Sequence, residues 1–288
     1  MNRTLGLVFL VPLIFLASCG GTKPIVVGSK AGMEQSLLGE IVAQHLEARL
    51  GMPVERRLGF GDTPILYQGV NTGEITLYPD TTGILIAEVL REQPSLTPSI
   101  AFERARNELA RTSLLELMDP LGFDNRTVVV IKGADFPDIS TLSQAAEFKD
   151  GWKLGVSYEF QSRSEGLPVL NSYRLPMAAA FRSMEPEQLF PSLEQGAVTM
   201  IAAQAADGYL TSPDWKVLED DMHVFAPQQE AVVVRQDAFT QEPRLKAALA
   251  ELSGKFDLET VRKLNAQVVI DERPIADVAR EFLASAGL

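Results

Sequence analysis

The sequence is poor in the residues that carry metal and redox chemistry. Its 288 residues include one cysteine, Cys19, and two histidines, His45 and His223. A lone cysteine cannot close an internal disulfide, and no group of cysteine, histidine and carboxylate residues has the spacing of a zinc site. The Gly-x-Ser-x-Gly motif of many serine hydrolases is also missing. We therefore expect no metal, no cofactor and no enzymatic activity.

Positive charge and long apolar runs are scarce as well. The chain has 26 lysine and arginine residues against 38 aspartate and glutamate residues, which gives a formal net charge of −12 at pH 7. This balance argues against a nucleic-acid partner, because phosphate binding needs a basic face. The pronounced apolar run at residues 5–17 is too short to span a bilayer.

The start of the chain has the form of a processing signal. The small residues Ala17 and Ser18 stand directly before Cys19, and this pattern resembles the bacterial signal for acylating a cysteine and cleaving before it. We expect residues 1–18 to be a signal peptide and residues 19–23 to be a linker. Lipid on Cys19 would then hold the protein on a membrane. The alternative is an ordinary secretory signal in which the cysteine is incidental.

Apolar runs that alternate with segments of helical period predict an α/β protein. Residues 34–50 carry leucine, isoleucine and valine at helical spacing, and Gly51 should end that helix. We predict strands at residues 24–29, 53–58, 127–132, 152–157, 177–181, 197–202 and 224–234. We predict three closing helices at residues 242–253, 258–266 and 275–286.

One short pattern occurs twice. Residues 73–77, GEITL, and residues 196–200, GAVTM, share the form Gly-x-[Ile/Val]-Thr-[Leu/Met], and each follows a helix-like run and leads into a polar loop. A glycine that ends a helix before a strand is common, so coincidence is the alternative. Two like halves predict two lobes that face one cleft, since ligands lie beyond the carboxyl ends of strands. We predict one lobe from residues 24–124 and 228–288, and an inserted lobe from residues 125–227.

Five longer segments resemble one known family. They are GSKAGMEQSLLGEIVAQHLE (28–47), GEITLYPDTTG (73–83), DPLGFDNRT (119–127), EFQSRSEGLP (159–168) and KLNAQVVIDERPIADVAREFL (263–283). Together they resemble the substrate-binding proteins of ABC importers for glycine betaine, choline, carnitine and related osmoprotectants. The resemblance covers essentially the whole mature chain.

The resemblance implies a fold, a role and partners. The fold would be a type II-like periplasmic-binding-protein fold, in which each lobe is a mostly parallel sheet flanked by helices and the lobes close on a solute. The partners would be a membrane permease and its cytoplasmic ATPase. We expect a monomer anchored in the cell envelope, facing the periplasm or the outer side of the cytoplasmic membrane.

The family's binding site includes a cage of tyrosines that holds a quaternary ammonium by cation–π attraction. Carried over position by position, the four cage positions hold other residues here, namely Thr81, Thr127, Gln204 and Gln228. Thr82 follows the first of them and is a further candidate. Tyr78 and Tyr158 flank these loops, and each either supplies a ring or packs in the core.

The polar half of the family's site is better kept. The resemblance places Lys30 and Gln35 in the first loop and helix start, and Arg163 in a loop of the second lobe. An arginine offers a planar fork for a carboxylate. The alternatives are a solvated loop lysine at position 30 and a surface ion pair of Arg163 with Glu159 or Glu165.

Four functions remain open from these residues. The first is a lipid-anchored solute-binding component of an osmoprotectant-type ABC importer that binds a betaine-like solute. The second keeps that role but takes a small polar carboxylate or zwitterion without a quaternary ammonium, which the missing tyrosines favour. The third is an enzyme on the same fold with Glu159 or Glu165 as its acid or base, and the fourth is a sensory or scaffold lipoprotein.

Overall fold

The computed structural model describes residues 23–288, so the predicted signal peptide and Cys19 lie outside the described residues. Strands are β1 (Ile25–Lys30), β2 (Val54–Gly61), β3 (Leu77–Thr81), β4 (Leu115–Leu117), β5 (Thr127–Lys132), β6 (Leu154–Ser157), β7 (Arg182–Met184), β8 (Met200–Gln204), β9 (Trp215–Leu218) and β10 (Glu230–Arg235). Within residues 23–288, no helix has both the length and the apolar character needed to cross a membrane.

The helices lie on both faces of two sheets. The α-helices are α1 (Met33–Leu50), α2 (Thr63–Thr72), α3 (Thr82–Ile84), α4 (Pro98–Ser113), α5 (Leu142–Ala146), α6 (Tyr158–Ser162), α7 (Leu167–Leu170), α8 (Leu189–Glu194), α9 (Gln236–Gln241), α10 (Leu245–Ala250), α11 (Leu258–Val269) and α12 (Ile275–Ala286). Short 3₁₀ turns occur at Asn171–Tyr173, Pro186–Gln188 and Gly208–Thr211, and a π-helix at Leu85–Leu90 follows α3.

The first sheet has the strand order β2-β1-β3-β10-β4. Strand β1 is parallel to β2 and β3, whereas β10 is antiparallel to β3 and β4. Every residue of β1 is buried, because helices cover both faces of the sheet. Ile25 and Val27 pack in the layer that contains α1, α10, α11 and α12, and Val26 packs in the opposite layer with α2 and α4.

The second sheet repeats this plan with the order β7-β6-β8-β5-β9. Two of its strand pairs are parallel and two are antiparallel, in the same sequence as in the first sheet. Trp152 anchors one face of this lobe, where it is fully buried and its indole N–H donates to the carbonyl oxygen of Ala145 at 2.8 Å.

The repeated five-residue pattern has the same structural role in both lobes. Gly73 and Gly196 each have a positive φ, 79° and 71°, which a glycine adopts without a steric penalty. The hydroxyl of Thr76 accepts from the Val26 N–H at 3.0 Å, and the hydroxyl of Thr199 accepts from the Lys153 N–H at 3.0 Å. In each lobe the threonine therefore ties the strand that follows it to the neighbouring parallel strand.

The predicted two-lobed α/β fold is confirmed, although both sheets are mixed rather than mostly parallel. The reason is the path of the chain, which supplies the first sheet from residues 25–117 and 230–235 and the second from residues 127–218. Strands β5 and β10 each follow a crossing of the chain from one lobe to the other, and each runs antiparallel to the strands beside it. The predicted lobe boundaries fall between these sets of strands and stay a prediction.

Two local predictions fail. The strand predicted at residues 177–181 is wrong, because Met177 forms an isolated bridge with Trp152 and the paired segment is β7, which begins at residue 182. Strand β9 is absent from the prediction. Both β7 and β9 are short outer strands of the second sheet in which only the last residue is buried, so neither has a continuous apolar run.

Helix α11 of the first lobe packs directly against the second lobe. The side-chain amide of Asn265 donates to the Ala206 carbonyl oxygen at 2.8 Å, and Arg262 Nε donates to the Ala205 carbonyl oxygen at 2.7 Å. Gly208 lies so close to the helix that an added Cβ would stand 2.4 Å from the backbone nitrogen of Ala266. This contact holds the two lobes together behind the space between the sheets.

We predict that Gly208→Ala lowers the free energy of unfolding by about 1–3 kcal/mol, because the methyl group overpacks a contact between backbones. Urea denaturation measures the loss. Gly133→Ala is the matched control, since its Cβ would meet nothing nearer than 3.5 Å. Equal stability of the two variants would contradict the close contact between α11 and the second lobe.

Candidate functional site

A cleft of about 1270 Å³ lies between the two lobes. Its lining includes the last residue of four strands that run in parallel in their sheets, namely Lys30 of β1, Thr81 of β3, Ser157 of β6 and Gln204 of β8. This is the edge at which α/β sheets bind ligands, because loops and helix starts gather there. The cleft is therefore the candidate functional site.

Most of the residues proposed from the sequence meet in this cleft. Seven line it, namely Lys30, Gln35, Thr81, Thr127, Arg163, Gln204 and Gln228. Thr82 does not line it. That side chain is fully buried behind the surface, and its hydroxyl accepts a hydrogen bond from the Gln229 N–H at 3.2 Å.

Lys30 is held at the floor of the cleft by a buried ion pair. Its Nζ lies 2.6 Å from Asp80 Oδ1, and the residue is 9% exposed, so it is not a solvated loop lysine. Thr63 and the Thr81 N–H both donate to the same carboxylate, each at 2.8 Å. Although burial works against the charged lysine, Asp80 and Glu230 raise the pKa of Lys30 above its usual value. Lys30 thus stays charged and is already paired.

Glu230 lies beside this pair. It was not identified as a candidate site residue from the sequence. It is opposite Thr81 in the β10–β3 pairing and is fully buried. Within residues 23–288, neither of its carboxylate oxygens has a hydrogen-bond partner. The pKa of Glu230 is raised to about 7, chiefly by burial; the charge of Lys30 lowers it and that of Asp80 raises it. The sequence offers one indication that Glu230 is buried, which is its position at the start of the apolar run EAVVVR.

Arg163 joins the two lobes across the cleft. Its Nε lies 2.7 Å from Glu88 Oε1 of the π-helix in the first lobe, and it also pairs with Glu159 in its own lobe. The side chains of Arg163 and Glu88 are only 13% and 22% exposed. Burial raises the pKa of Glu88, and the neighbouring Arg163 counteracts that rise. Arg163 therefore forms both the ion pair with Glu159 that the sequence analysis gave as an alternative and a partly buried bridge to Glu88 of the other lobe.

The rest of the lining is acidic. Two cationic side chains, Lys30 and Arg163, share the cleft with eight carboxylates: Glu34, Asp62, Glu88, Glu159, Glu165, Glu185, Glu187 and Asp207. Both cations are occupied by ion pairs. In the described part of the chain, no three of these groups are arranged to hold a metal ion. The free charge that faces the cleft is therefore negative.

Aromatic side chains are present but are not the expected ones. Tyr78 is fully buried in the core of the first lobe and does not reach the cleft. Tyr158 lines it and is 57% exposed. Tyr209 and Phe225 also line it, and the Tyr209 ring stacks on Phe190 with the ring centres 4.9 Å apart. Sequence reasoning missed Tyr209, although it follows the Asp207-Gly208 turn that closes the second repeat.

Comparison with known proteins identifies the family of this chain and solved structures with the same fold. Residues 23–285 match the family model for the substrate binding domain of ABC-type glycine betaine transport systems. A solved structure described as a glycine betaine/carnitine/choline ABC transporter superposes with a TM-score of 0.80 at 20% identity, over 91% of this chain and 98% of that one.

Two relatives are similar over most of this chain. The ergothioneine transport permease/ergothioneine binding protein EgtU of Helicobacter pylori (strain G27) is 27% identical over 270 residues, which is 92% of this chain. The match covers 48% of that relative, so this chain spans about half its length. The glycine betaine-binding protein YehZ of Escherichia coli (strain K12) is 24% identical over 283 residues, covering 92% of this chain and 91% of that protein.

We predict that Arg163 and Glu88 are energetically coupled, because their ion pair is largely shielded from water. In a double-mutant cycle of Arg163→Met and Glu88→Gln, urea denaturation should give an interaction free energy of about 1 kcal/mol. A cycle that pairs Glu88→Gln with Arg182→Met, an exposed arginine of β7, should give none. Equal coupling in the two cycles would mean that the bridge does not hold the lobes.

Proposed function

The chain belongs to the family of substrate-binding domains of ABC-type glycine betaine transport systems, and we propose that it captures a small organic solute for an ABC importer. In this role the two lobes close on the solute and present it to a membrane permease that a cytoplasmic ATPase drives. The family is one of binding proteins, so an enzymatic role for Glu159 or Glu165 is set aside.

The negative charge of the cleft is the observation that indicates the class of solute. Its two cations are already paired, with Asp80 and Glu88, and its other charged side chains are carboxylates. A solute with an ammonium group would be attracted, whereas a carboxylate without one would be repelled. Between the two solute classes left open by the sequence, this observation favours an ammonium compound. Two relatives, an ergothioneine-binding protein and a glycine betaine-binding protein, are named for solutes with an ammonium group, which agrees with that choice.

Three rings can stand in for the missing tyrosine cage. We assign this part to Tyr158, Tyr209 and Phe225, which line the cleft at positions other than the family's cage positions. A cation over an aromatic face gains about 0.5–2 kcal/mol. Lys30, Gln35, Thr81, Thr127, Arg163, Gln204 and Gln228 would shape the rest of the pocket, and Thr82 would support it from behind.

The remaining parts of the proposal concern place and partners. Lipid on Cys19 would anchor a monomer in the cell envelope, with the cleft facing the periplasm or the outer side of the cytoplasmic membrane. The first strand, β1, starts at Ile25, six residues after that cysteine in the sequence. Lobe boundaries at residues 124–125 and 227–228 would let the inserted lobe move against the first.

We predict that ammonium compounds raise the thermal midpoint of the mature, unacylated protein. A ligand that binds only the folded state stabilises it by mass action. The panel contains glycine betaine, choline, carnitine and ergothioneine, with lactate and succinate as anionic controls. Tyr158→Ala should weaken the response to the best compound, while Phe181→Ala, an exposed ring outside the cleft, should not. A response to the anions alone would support the carboxylate alternative instead.

We predict that Cys19→Ser abolishes lipid attachment, because Cys19 is the sole thiol in the chain. In a bacterial host, the wild-type chain should incorporate labelled palmitate and fractionate with membranes, and the variant should do neither. A wild-type protein that is processed and released without label would show that the segment is an ordinary secretory signal.

A further inference from the structure

Two carboxylates face the cleft from opposite lobes without forming an ion pair to a described residue. Glu34 belongs to the first turn of α1 in the first lobe, and Asp207 follows β8 in the second. Neither forms an ion pair with any of residues 23–288. Burial raises the pKa of Glu34 well above its usual value, and the charges of Asp207, Glu230 and Glu187 raise it further.

Asp207 is in a similar position. The pKa of Asp207 is raised to about 6, chiefly by burial and also by the charge of Glu187. The Tyr209 N–H, which donates to Asp207 Oδ1 at 2.9 Å, and the charge of Arg262 both counteract it. Arg262 forms no ion pair with the aspartate, and its Nε donates to the Ala205 carbonyl oxygen. Like charges thus oppose each other where the lobes meet.

Unpartnered polar atoms lie on the same side of the cleft. Thr81 lines the cleft at 4% exposure, and its hydroxyl has no hydrogen-bond partner in the described structure. The same holds for Gln35 Oε1, next to Glu34 in α1. A buried polar group without a partner is unfavourable, because it has lost its hydrogen bonds to water. Both atoms can accept a hydrogen bond, so one donor group on a solute would satisfy both.

We propose that the solute is a net organic cation whose charged group lies between Glu34 and Asp207 and whose hydroxyl or N–H group donates to Thr81 and Gln35. This proposal rests on the transport role proposed above and narrows its solute class. A zwitterion would bring a carboxylate for which the cleft has no free cation, because Lys30 and Arg163 are already paired. A bound cation would replace repulsion between the lobes with attraction to both, and would therefore favour closure.

Calorimetry with matched pairs of compounds tests the solute class. Choline and glycine betaine share a trimethylammonium group and differ in a hydroxyl against a carboxylate, and ethanolamine and serine differ in a carboxylate. At about pH 7.5 the net cation of at least one pair should bind about tenfold or more tightly than its zwitterion. Preference for the zwitterion in both pairs would overturn the inference and leave the transport role standing. No binding by any of the four would count against both.

Two substitutions test the assigned carboxylates. Glu34→Gln and Asp207→Asn should each weaken binding of the preferred cation about tenfold or more. Glu147→Gln, an exposed second-lobe residue outside the cleft, removes the same charge and should leave binding unchanged. Equal effects of all three would remove Glu34 and Asp207 from the site. Folding is checked without ligand, since neutralising either carboxylate relieves repulsion and should raise the thermal midpoint at about pH 7.5 but not at about pH 5.

The pH dependence provides a separate readout. The ionised carboxylates bind the cation, so affinity for it should fall as the pH drops through about 6, where Asp207 takes up a proton. Binding near that pH should release protons, which appears as a dependence of the binding enthalpy on the ionisation enthalpy of the buffer. The release should shrink in Asp207→Asn. Affinity that stays constant between about pH 5 and pH 7.5 would contradict the assignment.

Discussion

The buried ion pair of Lys30 and Asp80 is the contact on which the first-lobe floor of the cleft depends. Two charges leave water at little cost only when each has a close partner and further hydrogen bonds. Here Asp80 binds Lys30 of β1, Thr63 at the start of α2 and the Thr81 N–H of β3. One carboxylate thus fixes the ends of two strands and one helix. It also occupies one of the two cations that line the cleft, which leaves the surface available to a solute negative.

The two lobes meet this floor through opposite kinds of electrostatic contact. On one side Arg163 reaches from the second lobe to Glu88 and attracts the first. On the other side Glu34 and Asp207 repel each other. Behind both, α11 packs against the turn at Gly208 through backbone contacts that leave no room for a side chain. A solute would therefore enter between lobes that contact each other through α11 and through the Arg163–Glu88 bridge. On the side away from that bridge, Glu34 and Asp207 would accept a positive group.

The sequence predicted the parts of the fold that local patterns encode. Strand β1 is a continuous apolar run, and the repeated threonines mark the same strand contact in each lobe. Outer strands such as β7 and β9 have no such run. In the site, motif positions located Lys30 and Thr81, but not Asp207 or Glu34. In an acidic chain a carboxylate has no local mark of function, because its importance depends on which charges oppose it once the lobes pack.

The loss of the family's cage positions and the acidity of the cleft are two aspects of one change in recognition. An aromatic ring attracts a cation through its quadrupole, which does not depend on pH. A carboxylate in a poorly solvated cleft attracts it more strongly, but only when ionised. Recognition by carboxylates would therefore make capture depend on pH. Rings that remain, such as Tyr158 and Tyr209, would cover the apolar part of the solute, while the opposed carboxylates would select its charge.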